Sequence, residues 1–293
     1  FSKGGIPRIM SFGFAFSRNS GAFASATHIS RLRLPLRVHT GRRGIVAVGI
    51  TPPVRRFYES TGVEQVGDSW RVLLDGKTVK TPKGAVLEVP SSVLAEAISE
   101  EWAEQETHVK PLNMPLTTIG CTAVDIIRAE RTECIDRMIP YLATDTLCFE
   151  DSNERLAVLQ RTEWTPQRQW FETRFGVSLS VVQDFAIPCH PEGTLETVSQ
   201  ELALRDEWDL CALEIATTTC KSLVVATALL ERDDATPEAA LRWALLEEHF
   251  QIEKWGLVEG EHDVSHVEIL RWLSAVRSFS RKRHSLPERT AML

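Results

Sequence analysis

The sequence predicts an α+β fold, with a small antiparallel β-meander and helices in an N-terminal part, followed by a mostly α-helical C-terminal part. Three observations lead there. Between Trp70 and Val89, the β-prone segments WRVLL, KTVKT and AVLEV are separated by Asp75-Gly76 and by Pro82-Lys83-Gly84. An Asp-Gly pair in that setting favours a type I′ hairpin turn. From Thr194 onward the pattern is nearly all helical, and the stretch from Leu210 to Leu230 is apolar on most faces, as a buried central helix would be. Finally, Thr236 to Gly256 carries marks of both helix ends: Thr236 as N-cap, Pro237 at the first helical position, Glu238 beside the positive end of the dipole, and Gly256 as the closing residue.

Taken in order, residues 1–52 read as a mitochondrial transit peptide or disordered leader. Residues 1–56 hold ten basic side chains and no acid, with many Ser, Gly and Phe, and the weight of arginine favours mitochondria over chloroplasts. An α+β unit then spans 53–189. It begins with a lead-in of no strong period, RRFYESTGVEQV at 55–66, and continues into a three-stranded meander over 70–89. Pro90-Ser91-Ser92 starts a helix to about Gln105 with Leu94, Ile98 and Trp102 on its apolar face. The prolines in HVKPLNMPLTT make that segment extended. Helices are expected over 118–127 and 130–142, and a short strand in TDTLCF at 144–149. A further helix runs from Asn153 to Trp164 with Leu156, Leu159 and Trp164 inward. Thr165-Pro166 restarts a helix that Gly176 ends, and β-branched 177–182 is a strand.

A helical unit over 190–280 follows. Its expected helices run from Thr194 as cap to Leu204, from Glu207 to Arg232 without a break, from Thr236 to Gly256 as one piece, and from Val264 to Phe279 with Val267, Leu270 and Leu273 inward. Residues 281–293 read as a flexible tail.

Composition excludes several classes of function. Hydrophobic content of 43% supports a sizeable core. Setting aside residues 1–56 leaves 23 basic against 40 acidic side chains, a net charge of −17. A body this acidic argues against nucleic acid, whose affinity rests on phosphate contacts. No apolar run is long enough to span a membrane. The six cysteines are scattered with no C-x-x-C pair, which fits reduced thiols rather than a zinc or disulfide framework.

Signatures of catalysis are thin. The chain has no Gly-Lys phosphate loop, no G-x-G-x-x-G after a strand and no G-x-S-x-G. Glu247-Glu248-His249 does not follow the order H-E-x-x-H. His262 and His266 have the i, i+4 spacing of a helical metal pair, but Glu261 to Asp263 lies just past a helix end, so neither metal nor cofactor is expected. Lys221, set within an apolar helix as TTTCKSLVV, must snorkel to water, pair with an acid, for which Glu214 is a candidate, or lose its charge. Glu247 and Glu248 sit beside an apolar run, and Glu248, Gln251 and Trp255 share a helix face. With Lys221 the two acids would make an enzyme site if they converge; exposed beside apolar surface they would make a partner-binding one. Of the eight tryptophans, most should be core, but one exposed near the acids could anchor a partner.

Several segments resemble, in order, the family of mitochondrial F1-ATPase assembly factor 2. They are RRFY at 55–58, LDGKTVKTP at 74–82, VPSSVLAEAISEEW at 89–102, MPLTT at 114–118, TDTLCF at 144–149, W-T-P-x-x-x-W at 164–170, K-S-L at 221–223 and LEEHFQIEKWG at 246–256. The resemblance implies a non-catalytic chaperone of the mitochondrial matrix, monomeric when free. It would hold the unassembled alpha subunit of F1-ATPase, shield an interface prone to aggregation and release it to the beta subunit. It also implies partner-binding roles for Glu247 and Glu248, with Gln251 and Trp255 beside them, and for Trp102 in EEW.

Overall fold

The computed structural model describes residues 54–183, 186–256 and 262–285, the side chains of Trp255 and of 262–265 excepted, so the leader lies outside the described residues. The sheet begins earlier than expected. Strand β1 (Thr61–Val66) pairs antiparallel with β2 (Ser69–Leu74) along its whole length, Val63 opposite Val72. Its polar alternation hides it in the sequence, because only one face is covered. At the turn after β2, Asp75 (φ 48°) and Gly76 (φ 73°) both take positive φ, as a type I′ turn requires. Strands β3 (Lys77–Thr78) and β4 (Glu88–Val89) both pair antiparallel with β2, so the small antiparallel sheet is present, but the third expected strand returns to β2 and meets the second segment only through a bridge between Lys80 and Val86, not in meander order.

Helix α1 (Ser92–Ala103) starts as predicted, with the Ser91 hydroxyl accepting from the Leu94 N–H at 3.1 Å. The segment expected to be extended instead makes a 3₁₀ turn, Pro111–Asn113, and then α2 (Pro115–Thr122), which runs on as a π-helical stretch over Ala123–Ile127. Proline at the first helical position starts this helix rather than breaking it. After α3 (Arg131–Ala143), TDTLCF forms a 3₁₀ turn, Thr146–Cys148, leading into β5 (Phe149–Glu150).

One continuous helix, α4 (Glu154–Phe175), replaces the two expected around Pro166. A proline inside a helix costs about 3 kcal/mol. Trp164 and Phe171, both fully buried on the inward face of α4, each offset about 1.5–3 kcal/mol of that by burial. Leu159 points the other way and is exposed. Gly176 (φ 65°) closes the helix. Only β6 (Val182–Gln183) of the expected strand forms, pairing parallel with β5.

In the helical part, α5 (Thr194–Ala203) is preceded by Gly193 as N-cap, with Thr194 one residue inside. The predicted long helix is two: α6 (Glu207–Cys220) and α7 (Leu223–Glu231), broken at Lys221, which takes φ 54°. The opening landmark is likewise two helices, α8 (Pro237–Ala244) and α9 (Leu246–Trp255), with Thr236 capping α8. Helix α10 (His262–His284) outlasts its predicted end, because Arg283 pairs with Asp206 (2.5 Å) and Asp209 (3.1 Å) at the start of α6. Val267 on α10 is exposed, whereas Leu273 is buried. Helix α6 is the hub: α3, α7 and α10 pack around it, and α10 also reaches α1 and α2. The buried side chains form one cluster from Tyr58 to Phe279 that runs through both parts of the chain.

Candidate partner-binding site

The break between α8 and α9 creates the candidate site. The Trp164 indole N–H donates to the Trp243 carbonyl at 2.9 Å. In an unbroken helix that carbonyl would accept from the N–H four residues on, at Glu247. Leu245 therefore leaves helical geometry (φ −113°, ψ 21°), and α9 restarts with the His249 N–H on the Leu245 carbonyl at 2.9 Å.

The two glutamates sit in the first turn of α9, where negative charge suits the helix dipole. Successive helix residues point about 100° apart, and here that angle separates them onto different neighbours. Glu247 is half-buried toward α4, its Oε1 accepting from Gln160 Nε2 at 2.8 Å. Gln160 is itself buried, and its Oε1 accepts from the Asp151 N–H at 2.8 Å. Burial raises the Glu247 carboxyl above the usual range; the Gln160 bond opposes this and the charge of Asp151 adds to it. Glu248 turns toward α10, where its Oε1 accepts from His266 Nε2 at 3.0 Å, the two side chains 19% and 21% exposed. The His249 ring meets the His266 ring edge-on, with centroids 5.1 Å apart. Burial, then the charge of His266, hold His249 below its ordinary value, against the pull of Glu248.

Of the other predicted site residues, Gln251 is exposed and the Trp255 side chain lies outside the described residues. Trp102 is only 1% exposed, stacked edge-on against Tyr58 at 5.6 Å, so it is a core residue and not a surface anchor. Sequence reasoning missed Gln160 and Trp164 as supports. Their only signal, a helix carrying W-T-P, does not say which carbonyl the indole will meet. It also read His266 as a poor metal ligand and not as the partner of Glu248.

The groups of the enzyme alternative have separate surroundings. Lys221 is exposed at the α6–α7 junction, where its carbonyl accepts from Thr146 Oγ1 at 3.3 Å. It solves its charge problem by ending the helix. Glu214 does not serve it: this buried carboxylate accepts from Arg137 Nε at 2.5 Å. Glu247 and Glu248 meanwhile answer to Gln160 and His266.

The motifs that carry the family resemblance meet in pairs, mostly to cap backbone ends. Glu101 of EEW accepts from the Leu116 N–H (2.7 Å), the Thr117 N–H (2.8 Å) and the Thr117 hydroxyl (2.7 Å) of MPLTT, so it caps α2. Asp145 of TDTLCF, fully buried, accepts from Ser222 Oγ of K-S-L at 2.7 Å and from the Val224 N–H just after it at 3.1 Å, at the start of α7. The Arg56 guanidinium of RRFY donates to the Ala103 carbonyl at 3.2 Å and to that of Gln105 at the end of α1, and the Tyr58 hydroxyl donates to the Trp102 carbonyl at 2.6 Å. Asp75 of LDGK takes the Ser60 N–H at 2.8 Å.

Known proteins are similar to this chain in sequence and in architecture. The sequence model of the ATP12 chaperone protein family matches residues 55–172. The mitochondrial protein atp12 of Schizosaccharomyces pombe is 30% identical over 243 residues, covering 78% of this chain and 83% of that protein. The chain belongs to the ATP12 family. The mitochondrial ATP12 of Saccharomyces cerevisiae is 26% identical over 262 residues, covering 74% of this chain and 81% of its own. In structure, Atp12 from Paracoccus denitrificans aligns with a TM-score of 0.71 at 27% identity, over 79% of this chain and 97% of that one. ATP12 proteins are chaperones, which sets the enzyme alternative aside. The ATP12 match at 55–172 takes in the capping residues Glu101 and Asp145; α8, α9 and α10 lie beyond it.

Proposed function

We propose that this ATP12-family chain is a matrix chaperone that binds the unassembled alpha subunit of mitochondrial F1-ATPase, shields its aggregation-prone interface and releases it to the beta subunit. Membership of the ATP12 family over 78% of the chain is the observation that carries this reading, and the mitochondrial names of both fungal relatives support the location. The physical task is binding, not catalysis. An unassembled subunit exposes apolar surface that would otherwise aggregate, and covering it needs a stable, complementary face. Helix α9, with Glu247 and Glu248 in its first turn, Gln251 beyond them and Trp255 as its last residue, is the element we assign to that contact. It is acidic and stands at a helix break, and it is anchored below by Leu246 in the core, with Glu247 and Glu248 partly covered by Gln160 and His266.

The test is a pull-down from mitochondrial extract with the folded chain, wild type beside Glu248→Lys. The expected result is free alpha subunit with wild type and little with a variant whose circular dichroism is unchanged. Recovery by both would move the contact away from α9. Recovery by neither would refute the alpha-subunit assignment.

A further inference from the structure

The 3₁₀ turn Pro111–Asn113 presents Leu112 to solvent, 60% exposed, while the backbone on both sides of it is held. Proline at 111 restricts the chain. The Lys110 N–H donates to Oε1 of buried Gln105 at 2.7 Å, and the Asn113 and Met114 N–H groups close the turn on the Lys110 and Pro111 carbonyls at 2.8 and 3.0 Å. Met114, only 2% exposed, roots the turn in the core. The Leu112 carbonyl itself accepts from the Arg271 guanidinium of α10, which Glu268 holds in turn, accepting from Nε at 3.0 Å and Nη2 at 2.6 Å. Val267, 68% exposed, lies one turn before Arg271 on the same face of α10, so both apolar side chains adjoin that guanidinium. Leu270, half-buried, stands beside Val267 at i, i+3. His266, next to Val267 in the chain, meets Glu248 at 3.0 Å, so this apolar patch borders the acidic turn of α9.

A leucine fixed in a turn with most of its surface in water contributes little to the fold. It suits binding, because the ordering that a contact would otherwise cost has already taken place on folding. We propose that Leu112 and Val267 form the apolar contact of the client surface, and that the unassembled alpha subunit covers them with apolar surface that it later buries in the assembled enzyme. This rests on the alpha-subunit reading and on α9 as the partner-binding element, and it extends that site across α10 to the 3₁₀ turn. The occupant is argued from two observations. ATP12 proteins are chaperones, and a chaperone's client is a protein whose apolar surface is still exposed. The patch is also continuous with the acids of α9 through His266. Leu112 and Val267, bordered by Arg271, Glu268 and Glu248, then have the apolar centre and polar rim of a protein interface.

Binding of purified F1 alpha subunit is measured with wild type, Leu112→Ser, Val267→Ser, Leu112→Met and Leu204→Ser. Leu112→Ser and Val267→Ser should each weaken it about tenfold, from the apolar area that is no longer covered. Leu112→Met keeps an apolar side chain of similar volume and should bind as wild type does. Leu204, 80% exposed at the end of α5, is the control for general stickiness, and Leu204→Ser should leave binding unchanged. Full binding by Leu112→Ser or Val267→Ser, or an equal loss in Leu204→Ser, overturns the patch and leaves the chaperone reading in place. Failure of wild type to bind overturns both. Light scattering on free wild type tests the other occupant: a dimer that Leu112→Ser separates into monomers assigns the patch to a second copy and overturns the client contact. Both positions are exposed, so circular dichroism should be unchanged; if Leu112→Ser or Val267→Ser does not fold, the other decides alone.

Discussion

Asp145 offers the sharpest physical test of this structure. Its carboxyl has no solvent exposure. It is surrounded by donors: Ser222 Oγ at 2.7 Å, the Leu147 N–H at 3.1 Å and the Val224 N–H at 3.1 Å. Two effects oppose each other. Burial disfavours the charged form, while the hydroxyl and backbone donors favour it. Burial wins, and the carboxyl is pushed from 3.8 up to about 6. The folded protein thus holds this proton more tightly than the unfolded chain does. The stabilisation is present below pH 4 and is lost as pH rises through about 6. At about 1.4 kcal/mol per unit the full effect is about 3 kcal/mol, of which about 2 kcal/mol falls between pH 4.5 and 7.

Asp145→Asn keeps the shape and removes the titration. The assay is urea unfolding of wild type and variant at pH 4.5 and at pH 7, taking the difference between the two proteins at each pH so that other titrating groups cancel. Wild type should gain about 2 kcal/mol on the variant at the lower pH. An equal gap at both pH values would refute the argument that burial outweighs the hydrogen bonds.

Other substitutions probe the remaining joints. Glu101→Ala leaves the Leu116 and Thr117 N–H groups without their acceptor and should cost about 3 kcal/mol, read as a lower urea midpoint. Lys221→Gly relieves the left-handed backbone at φ 54°, should stabilise by about 1 kcal/mol and should leave alpha-subunit recovery intact; lost recovery in a folded variant would return Lys221 to the site. Trp164→Phe keeps the buried ring but removes the donor to the Trp243 carbonyl, and should cost about 1–2 kcal/mol with faster amide exchange at 243–247; unchanged exchange would show that the indole does not hold the α8–α9 break.

What the sequence determined by itself is what local chemistry decides. The Asp75-Gly76 turn, the Ser91 and Thr236 caps and the closing Gly176 follow from the preferences of one or two residues, and each stands where the sequence puts it. The α+β class and the family were legible for the same reason, since runs of short motifs survive in linear order. Tertiary structure decided whatever depends on a distant partner. Pro166 stays inside α4 because Trp164 and Phe171 are buried on either side of it. The long helix stops at Lys221 because a charge inside an apolar stretch needs an exit, and a helix end provides one. Thr236 to Gly256 divides in two because an indole from α4 takes a carbonyl that the helix would have used. For the candidate site the division is the same. The sequence displays Glu247 and Glu248 as one adjacent pair, but helical rotation sends them to Gln160 and His266, which lie 87 and 18 residues away along the chain. No spacing rule reaches across such gaps, because what joins them is the packing of α4, α9 and α10.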